Sequence, residues 1–71
     1  MLKKITSVRD IQKIERGDNL FDCPDPLLAT KYMVSRRIVD DLIVEPTDGT
    51  IETKLLTRND LISGNWWVKP K

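Results

Sequence analysis

The sequence predicts a small α+β domain over residues 1–71, with an N-terminal helix, an antiparallel sheet of three to five strands and one short helical turn before the last strand. Three observations lead to this prediction. An apolar stripe with helical spacing follows a capping pattern near the start. Runs of β-branched and aromatic residues begin near residue 31 and are separated by turn residues. A second capping pattern then precedes a glycine and two adjacent tryptophans.

The first predicted element is a helix over residues 8–16. Ser7 followed three residues later by Asp10 forms a capping-box pattern, in which a hydroxyl and a carboxylate satisfy free N–H groups at a helix start. Gly17 is a natural stop for this helix. Between these signals, apolar residues recur three apart, as expected for one buried stripe: Val8, Ile11 and Ile14.

A short strand is predicted at residues 19–22, built around Leu20 and Phe21. Residues 23–26 form a loop, because each of the two prolines removes a backbone donor and restricts its neighbour. The composition of residues 31–39 then predicts a longer strand. One face of this strand would carry Tyr32, Val34 and Ile38, and the other face Met33, Ser35 and Arg37.

Two more strands complete a predicted meander. Residues 40–41 form a turn and residues 42–45 form the next strand. Asp48 and Gly49 are the strongest hairpin signal in the chain. Residues 50–56 would then return as a strand, one face of which would carry Ile51, Thr53 and Leu55.

The segment over residues 56–68 has the clearest local pattern in the chain. Thr57 and Asp60 repeat the capping-box pattern ahead of one apolar turn. Gly64 and Asn65 are residue types that adopt the left-handed conformation and so end a helix. The last strand carries two adjacent tryptophans, Trp66 and Trp67. Neighbours on a strand point to opposite faces, so one ring is expected in the core and the other on the opposite face.

Composition argues against catalysis, metal binding and an intramolecular disulfide. The chain has no histidine, which is the usual base near neutral pH, and it has a single cysteine. A lone cysteine neither closes a disulfide nor builds a structural zinc site. The predicted class is a non-enzymatic protein without a cofactor or metal. Because 71 residues bury only a small core, self-association is the expected source of further stability.

The charge balance and the distribution of apolar residues indicate partners and location. Twelve basic and eleven acidic residues give a net charge of +1, unlike the strongly basic surface of a nucleic-acid-binding protein. No apolar run reaches the length of a signal peptide or a membrane helix. The sequence therefore predicts a cytoplasmic protein with no membrane partner, and it makes a nucleic-acid partner unlikely.

Three features are candidates for binding. Arg36 and Arg37 form either a solvated basic face or a guanidinium fork for phosphate. One of the tryptophans either stacks on a base or belongs to the core or a subunit contact. Leu27 and Leu28 are either a packed connection or an exposed contact, and together with Tyr32 they form the predicted interface.

Part of the chain resembles a known family. Residues 48–51 and 56–68 look like the C-terminal half of the phage Thoeris anti-defence sponge family, whose members end in a strand, a short helical turn and a tryptophan-bearing strand. The opening helix, followed by a glycine and a strand, is also similar. The resemblance covers roughly half of the chain, and its motif is most specific at the C-terminal end.

The resemblance implies a non-enzymatic oligomer that sequesters cyclic ADP-ribose-type immune signals in pockets between subunits. On this implication, Trp66 takes the place of the motif tryptophan and Asp60 heads the helical turn. Two positions depart from the family pattern. Family members carry a basic residue and a tryptophan after the first helix, whereas this chain has Asp22 and Asp25 there. Asn65 stands where an acidic residue is usual.

These observations lead to one main functional hypothesis and two alternatives. The main hypothesis is a small phage-type counter-defence protein that acts in the host cytoplasm, where it sequesters a cyclic nucleotide-type immune signal as a homo-oligomer. The first alternative is a phage-type inhibitor that binds a bacterial host protein directly. A small nucleic-acid-binding module is the weaker alternative, because the net charge is close to zero. The candidate ligand- or partner-binding residues are Arg36, Arg37, Asp60, Asn65, Trp66 and Trp67.

Overall fold

The computed structural model describes residues 1–50 and 52–70, which form a six-stranded antiparallel sheet and two short helices. The strands lie in the order β1-β6-β2-β3-β4-β5, so the last strand inserts between the first two. In chain order the elements are β1 (Lys3–Lys4), α1 (Val8–Gln12), β2 (Asn19–Phe21), β3 (Lys31–Ile38), β4 (Asp41–Pro46), β5 (Lys54–Leu56), α2 (Arg58–Ser63) and β6 (Trp67–Val68).

This architecture shows that the predicted fold class was wrong in two respects. The described residues form six strands instead of three to five, and a strand precedes the first helix. β1 escaped prediction because its two lysines are exposed and show no apolar alternation. Its strand conformation comes from pairing with β6, in which Lys3 lies opposite Val68 and Lys4 lies opposite Trp67.

Helix α1 ends at Gln12, although the apolar stripe predicted a helix to residue 16. Ile14 is still buried beyond the helix, but its N–H donates to the carbonyl of Ile11 in a tight turn. The Arg37 guanidinium donates to the carbonyls of Gln12 and Ile14, at 3.0 and 3.1 Å. The Gln12 carbonyl is the acceptor that the Arg16 N–H would use in a helix reaching residue 16. The predicted stripe is therefore a core stripe without a continuous helix.

A β-bulge in β3 changes which face its later residues occupy. The pairing register with β4 shifts between Val34 and Arg36, so Ser35 has no partner in the ladder. Before the bulge the side chains alternate as the sequence predicts. After it, Arg37 lies on the core face and Ile38 lies on the opposite face with 44% of its surface exposed. The predicted placement of these two residues was therefore wrong.

The connection from β4 to β5 is longer than the predicted hairpin, because β5 comprises only the last three residues of the predicted strand. Asp48 Oδ1 accepts hydrogen bonds from the N–H and the hydroxyl of Thr50, at 3.1 and 2.7 Å. These bonds close a local turn after the end of β4. Ile51, which was predicted on the apolar face, lies outside the described residues. Leu55 points away from the core and is 57% exposed.

Helix α2 has the predicted N-terminal cap and an unpredicted C-terminal one. Thr57 Oγ1 accepts the Asp60 N–H at 3.2 Å and Asp60 Oδ2 accepts the Thr57 N–H at 3.1 Å, which confirms the capping box. Gly64 was predicted to be left-handed, and this was wrong, since its φ is −86°. A glycine is needed there for space, because a Cβ would overlap the carbonyl oxygen of Asp60 and press on the Trp66 ring.

Both helices cover the same face of the sheet, and the core lies between the helices and that face. Ile11 of α1 and Leu61 of α2 are fully buried in one cluster with sheet residues such as Leu20, Val34 and Val44. The other members of this core are Ile5, Ile14, Tyr32, Leu42 and Leu56. The opposite face of the sheet has no helix over it in the described part of the chain.

Candidate ligand-binding face of the sheet

The uncovered face of the sheet presents apolar and cationic side chains, and we call it the open face. Strand alternation assigns its residues, because neighbours of core residues point away from the core. Thus Phe21 follows the core residue Leu20, and Ile43 lies between the core residues Leu42 and Val44. The main side chains of the open face are Lys4, Phe21, Lys31, Met33, Arg36, Ile43, Leu55 and Trp67.

One row of directly paired residues crosses four neighbouring strands of the open face, and we call it the aromatic row. Lys4 lies opposite Trp67, Trp67 lies opposite Phe21, and Phe21 lies opposite Lys31. Neighbouring strands are about 4.8 Å apart, so the two lysine Cα atoms are roughly 14 Å apart across two aromatic residues. Aromatic surface flanked by two ammonium groups suits a planar ligand that carries negative charge.

The members of the aromatic row differ in accessibility. Phe21 is only 7% exposed, so it supports its neighbours more than it offers a surface. Trp67 is half-buried and keeps accessible surface for a ligand. Lys4 Nζ lies 5.7 Å from the centroid of the Trp67 ring, a cation–π distance, and it also donates to the carbonyl of Gly64 at 3.3 Å. Trp67 and Lys4 are thus already held together at the edge of the row.

The cations of the open face are not neutralised within the described chain. Lys4, Lys31 and Arg36 make no ion pair with any described carboxylate. Glu45 does lie on this face, opposite Met33 and one strand away from the aromatic row. Asp41 is the second carboxylate of this face, opposite Ile38 at the far end of β4 from the row. Three cations against two carboxylates, both outside the row, leave a positive local potential around Lys4 and Lys31, which attracts an anion.

The two adjacent arginines that the sequence singles out are separated by the sheet. Arg36 lies opposite Ile43 on the open face and is exposed. Arg37 lies on the core face and donates from Nε to the carbonyl of Val39 at 2.8 Å, in addition to its two bonds at the end of α1. Its guanidinium is occupied by backbone carbonyls. A shared phosphate fork of the two arginines is therefore not formed.

The two tryptophans are also divided between the faces, as the alternation predicts. Trp66 packs against the core, and its ring meets the Tyr32 ring edge to face with centroids 5.3 Å apart. Tyr32, predicted as an interface residue, is 7% exposed and belongs to the core. Trp67 is the tryptophan on the open face.

The remaining predicted site residues lie away from the aromatic row. Asp60 is committed to the capping box of α2, and its backbone carbonyl also accepts the Gly64 N–H. Asn65 is exposed in the connection between α2 and β6. Of the six predicted binding residues, the fold places Arg36 and Trp67 on the open face.

The loop between β2 and β3 presents the two predicted interface leucines to solvent. Leu27 is 91% exposed and Leu28 is 79% exposed. Asp25 holds the tip, because its Oδ1 accepts the Leu27 N–H at 2.9 Å and its backbone carbonyl accepts the Leu28 N–H at 3.0 Å. Asp22 Oδ1 accepts the Thr30 N–H at 2.8 Å and closes the base of the loop. We call residues 22–30 the leucine loop.

A cleft of about 340 Å³ lies beside the end of α1, between β1 and the residues after β6. Its apolar surface comes from Ile14, Val68 and Pro70. The charged residues around it are Lys3, Lys13, Lys69, Asp10 and Asp18. We call it the lysine cleft, since its lysines outnumber its carboxylates.

Asp10 has a lowered pKa beside this cleft. The Thr6 N–H and hydroxyl donate to Asp10 Oδ2 at 3.0 and 3.1 Å, and Lys3 Nζ lies 3.2 Å from Oδ1. The backbone hydrogen bond from Thr6, aided by Lys3, lowers the pKa of Asp10 to about 2. Asp10 therefore anchors the first turn of α1 to β1 while remaining ionised.

Sequence reasoning missed three of the four members of the aromatic row. Lys4 belongs to a strand without a sequence signal, and Phe21 and Lys31 become neighbours of Trp67 only through the strand order. No local pattern reveals that β6 pairs with both β1 and β2. The available signal was the alternation in β2, which places Phe21 on the face opposite Leu20.

Comparison of the chain with models of known protein families, with curated protein sequences and with solved structures gave no match. Neither helix in residues 1–50 and 52–70 has the length and apolar character needed to cross a membrane. Across the same residues, no three carboxylate or thiol side chains cluster closely enough to hold a metal ion.

Proposed function

We propose that this chain is a non-catalytic protein that binds a phosphate-bearing nucleotide on its open face and withholds it from other proteins. The observation that carries the proposal is the aromatic row, in which Trp67 lies between Lys4 and the pair of Phe21 and Lys31. The resemblance of residues 56–68 to the Thoeris anti-defence family supports a cyclic ADP-ribose-type ligand and a role in phage counter-defence. In this proposal Trp67 takes the binding role that the resemblance implies for Trp66, because Trp66 packs against the core.

Each part of the aromatic row has a separate task in this proposal. The base stacks on Trp67, an interaction that contributes about 1–3 kcal/mol per base. Phe21 lies beside Trp67 on the neighbouring strand as an apolar support, in keeping with its 7% exposure. Lys4 and Lys31 bind phosphate from the two ends of the row, where neither is paired with a carboxylate in the described chain.

Arg36 serves a more distant part of the ligand. It lies five residues beyond Lys31 on β3, roughly 13–16 Å away at about 3.3 Å per residue, because the bulge at Ser35 shortens the ladder by one step. That separation exceeds the distance from a base to its own phosphate, but it suits a ligand with a second phosphate. We therefore expect Arg36 to contribute less than Lys4 and Lys31 for a mononucleotide, and more for a ligand with two phosphates.

Withholding instead of conversion follows from the residue types available. The sequence contains no histidine to transfer protons near neutral pH. The aromatic row itself contains lysines and aromatic residues but no carboxylate or thiol. Such a surface binds and releases its ligand unchanged.

Isothermal titration with cyclic ADP-ribose isomers, with ADP-ribose and with AMP tests the proposal. Wild-type protein should bind at least one of these nucleotides, and Trp67→Leu and the double variant Lys4→Ala/Lys31→Ala should each bind it roughly ten-fold or more weakly. Mass spectrometry of the recovered ligand should find it unchanged. Binding should also weaken as salt rises, since the lysines are exposed.

Arg9→Ala is the matched control, because Arg9 is an exposed cation on α1, away from the open face. It should leave the affinity unchanged. No measurable heat with any of the nucleotides, or full affinity in Trp67→Leu, would remove the open face as the site. A chemically altered ligand that depends on the protein would contradict the non-catalytic role.

A further inference from the structure

The leucine loop holds two apolar side chains in a solvent-exposed position. Leu27 is 91% exposed and Leu28 is 79% exposed, and among the described large apolar residues only Met1 and Val39 are exposed to a similar degree. Four backbone N–H groups donate to the carboxylates of Asp22 and Asp25 or to the Asp25 carbonyl within this loop, so its tip is ordered. Exposed leucines on an ordered tip are typical of a contact surface more than of a flexible connection. The two aspartates give this tip an acidic border.

The lysine cleft has the complementary character. Its apolar floor of Ile14, Val68 and Pro70 is bordered by three lysines and two aspartates, so its border is cationic on balance. Asp10 is already bonded to Lys3 and Thr6. Lys69 makes no ion pair with a described residue and is exposed at the border. A cleft of about 340 Å³ has the size of a site for a small group of side chains.

The loop and the cleft lie at opposite ends of one short strand. Asp18 immediately precedes β2 and borders the cleft, whereas Asp22 immediately follows β2 and begins the leucine loop. β2 is three residues long, roughly 10 Å, and it runs straight between them. The loop therefore extends away from the cleft of its own chain. A second molecule is needed to bring a loop and a cleft together.

We infer that the leucine loop of one molecule inserts into the lysine cleft of a second copy, which joins the chains head to tail. Leu27 and Leu28 cover Ile14, Val68 and Pro70, while the loop aspartates face Lys69 at the border of the cleft. Since the contacting surfaces differ, the same junction can repeat and give a ring or a short chain of subunits. The contact is small, so association is weak and depends on concentration. This inference does not rest on nucleotide binding.

Sedimentation of complementary variants provides the test. The purified wild type should exceed its monomer mass of 8.2 kDa increasingly with concentration. Leu28→Asp disables the loop, and Lys69→Glu/Pro70→Asp disables the cleft; each variant alone should remain a monomer. An equimolar mixture of the two should form a dimer, because one intact loop then meets one intact cleft. The association constant of either variant alone should be roughly ten-fold or more below that of the wild type. The association constant of the wild type should also fall with added salt.

Leu55→Asp is the matched control, since Leu55 is an exposed leucine on the open face. It should associate like the wild type. Circular dichroism checks folding, and Leu27→Ala/Leu28→Ala replaces Leu28→Asp if that variant unfolds. The inference is overturned by a wild type that stays at 8.2 kDa at millimolar concentration, by a mixture that stays monomeric, or by association lost only in Leu55→Asp.

Two further outcomes separate this inference from others. A bacterial host protein that binds the wild type but not Leu28→Asp, together with a monomeric purified wild type, would assign the loop to a host partner and reject self-association. Nucleotide titration of monomeric Leu28→Asp should still give the wild-type affinity. Loss of nucleotide binding in Trp67→Leu with association intact would leave the head-to-tail contact standing.

Discussion

The core face and the open face of the sheet use the same residue types for opposite purposes. On the core face, Arg37 donates to three backbone carbonyls and Trp66 packs against Tyr32. On the open face, their sequence neighbour Arg36 is exposed, and Trp67 contacts the Lys4 ammonium instead of a core ring. Composition does not distinguish the members of each pair. The face that a side chain occupies decides whether it stabilises the fold or is available for a ligand.

The difference between the faces predicts a division between stability and binding. Core-face residues lose their freedom on folding and gain contacts with both helices. Open-face residues gain less from folding, so their replacement affects stability little. Paired substitutions on the two faces test this division directly, and the expected effects are given from the largest to the smallest.

Replacement of Leu61 should have the largest effect on stability. Leu61 is fully buried in the core, so Leu61→Ala removes apolar contacts and leaves a cavity. The free energy of unfolding should fall by about 2–5 kcal/mol, as measured by urea denaturation. On the open face, Leu55→Ala should cost less than about 1 kcal/mol, because Leu55 is 57% exposed.

Equal losses in Leu61→Ala and Leu55→Ala would mean that the open face is covered in solution. That result would contradict the assignment of one core to one face. Measurement at low protein concentration keeps self-association from masking the difference.

The arginine pair gives the second-largest contrast. Arg37→Ala removes three hydrogen bonds from a charged donor and exposes the carbonyls of Gln12 and Ile14. The free energy of unfolding should therefore fall by about 1.5–3 kcal/mol. Arg36→Ala should change stability by less than about 0.5 kcal/mol and should weaken the binding of a nucleotide with two phosphates.

Chemical denaturation and titration of both arginine variants separate the two roles. If Arg37→Ala keeps full stability while losing nucleotide affinity, the structural role of Arg37 is wrong. Arg37→Lys is the useful control, because an ammonium group has one nitrogen and cannot reach all three carbonyls in the geometry of a guanidinium.

The parts of the fold that the sequence predicts are those set by neighbouring residues. The capping box of Thr57 and Asp60 forms as predicted, because a hydroxyl and a carboxylate at that spacing satisfy local N–H groups. The early alternation of β3 and the division of the two tryptophans follow from strand geometry alone. These features need no knowledge of the rest of the chain.

The missed parts depend on contacts between distant segments. β1 is a strand only because β6 pairs with it across 60 or more residues, and the early end of α1 follows from acceptors taken by Arg37. The bulge at Ser35 reverses the later alternation of β3 without any local signal. The aromatic row combines four strands, so its composition follows from the strand order and not from a motif.

Acid should reveal a smaller contribution to stability from Asp10 of α1, which pairs with Lys3 of β1. Asp10 has a pKa lowered from 3.8 to about 2 by the Thr6 N–H and by Lys3. A carboxyl with a lower pKa in the folded state stabilises the fold above its unfolded pKa, and this stabilisation is lost as pH falls from about 5 towards 2. Asp10 should contribute about 1–2 kcal/mol at neutral pH, less than an unscreened pair would.

Urea denaturation of Asp10→Asn between pH 2 and 7 measures this contribution. The variant should be less stable than the wild type at pH 7, and the difference should shrink as the pH approaches 2. The pKa of Asp48 is also lowered, by the hydroxyl and N–H of Thr50, so the Asp10→Asn variant should itself keep some acid sensitivity. A difference that stays constant with pH would contradict the role of the Asp10 charge.

The smallest expected effect lies at the turn between β3 and β4. Val39 has a φ of +57°, a left-handed conformation that costs a β-branched residue about 1–2 kcal/mol, and its side chain is 81% exposed. Asparagine tolerates this conformation better, so Val39→Asn should stabilise the protein by about 0.5–1 kcal/mol. Because Arg37 Nε donates to the Val39 carbonyl at 2.8 Å, the core face helps to hold the strained turn. Removing that bond in Arg37→Ala should let the turn relax, so Val39→Asn should stabilise Arg37→Ala less than it stabilises the wild type. Equal stabilisation in the wild type and in Arg37→Ala would show that the conformation of the turn does not depend on Arg37.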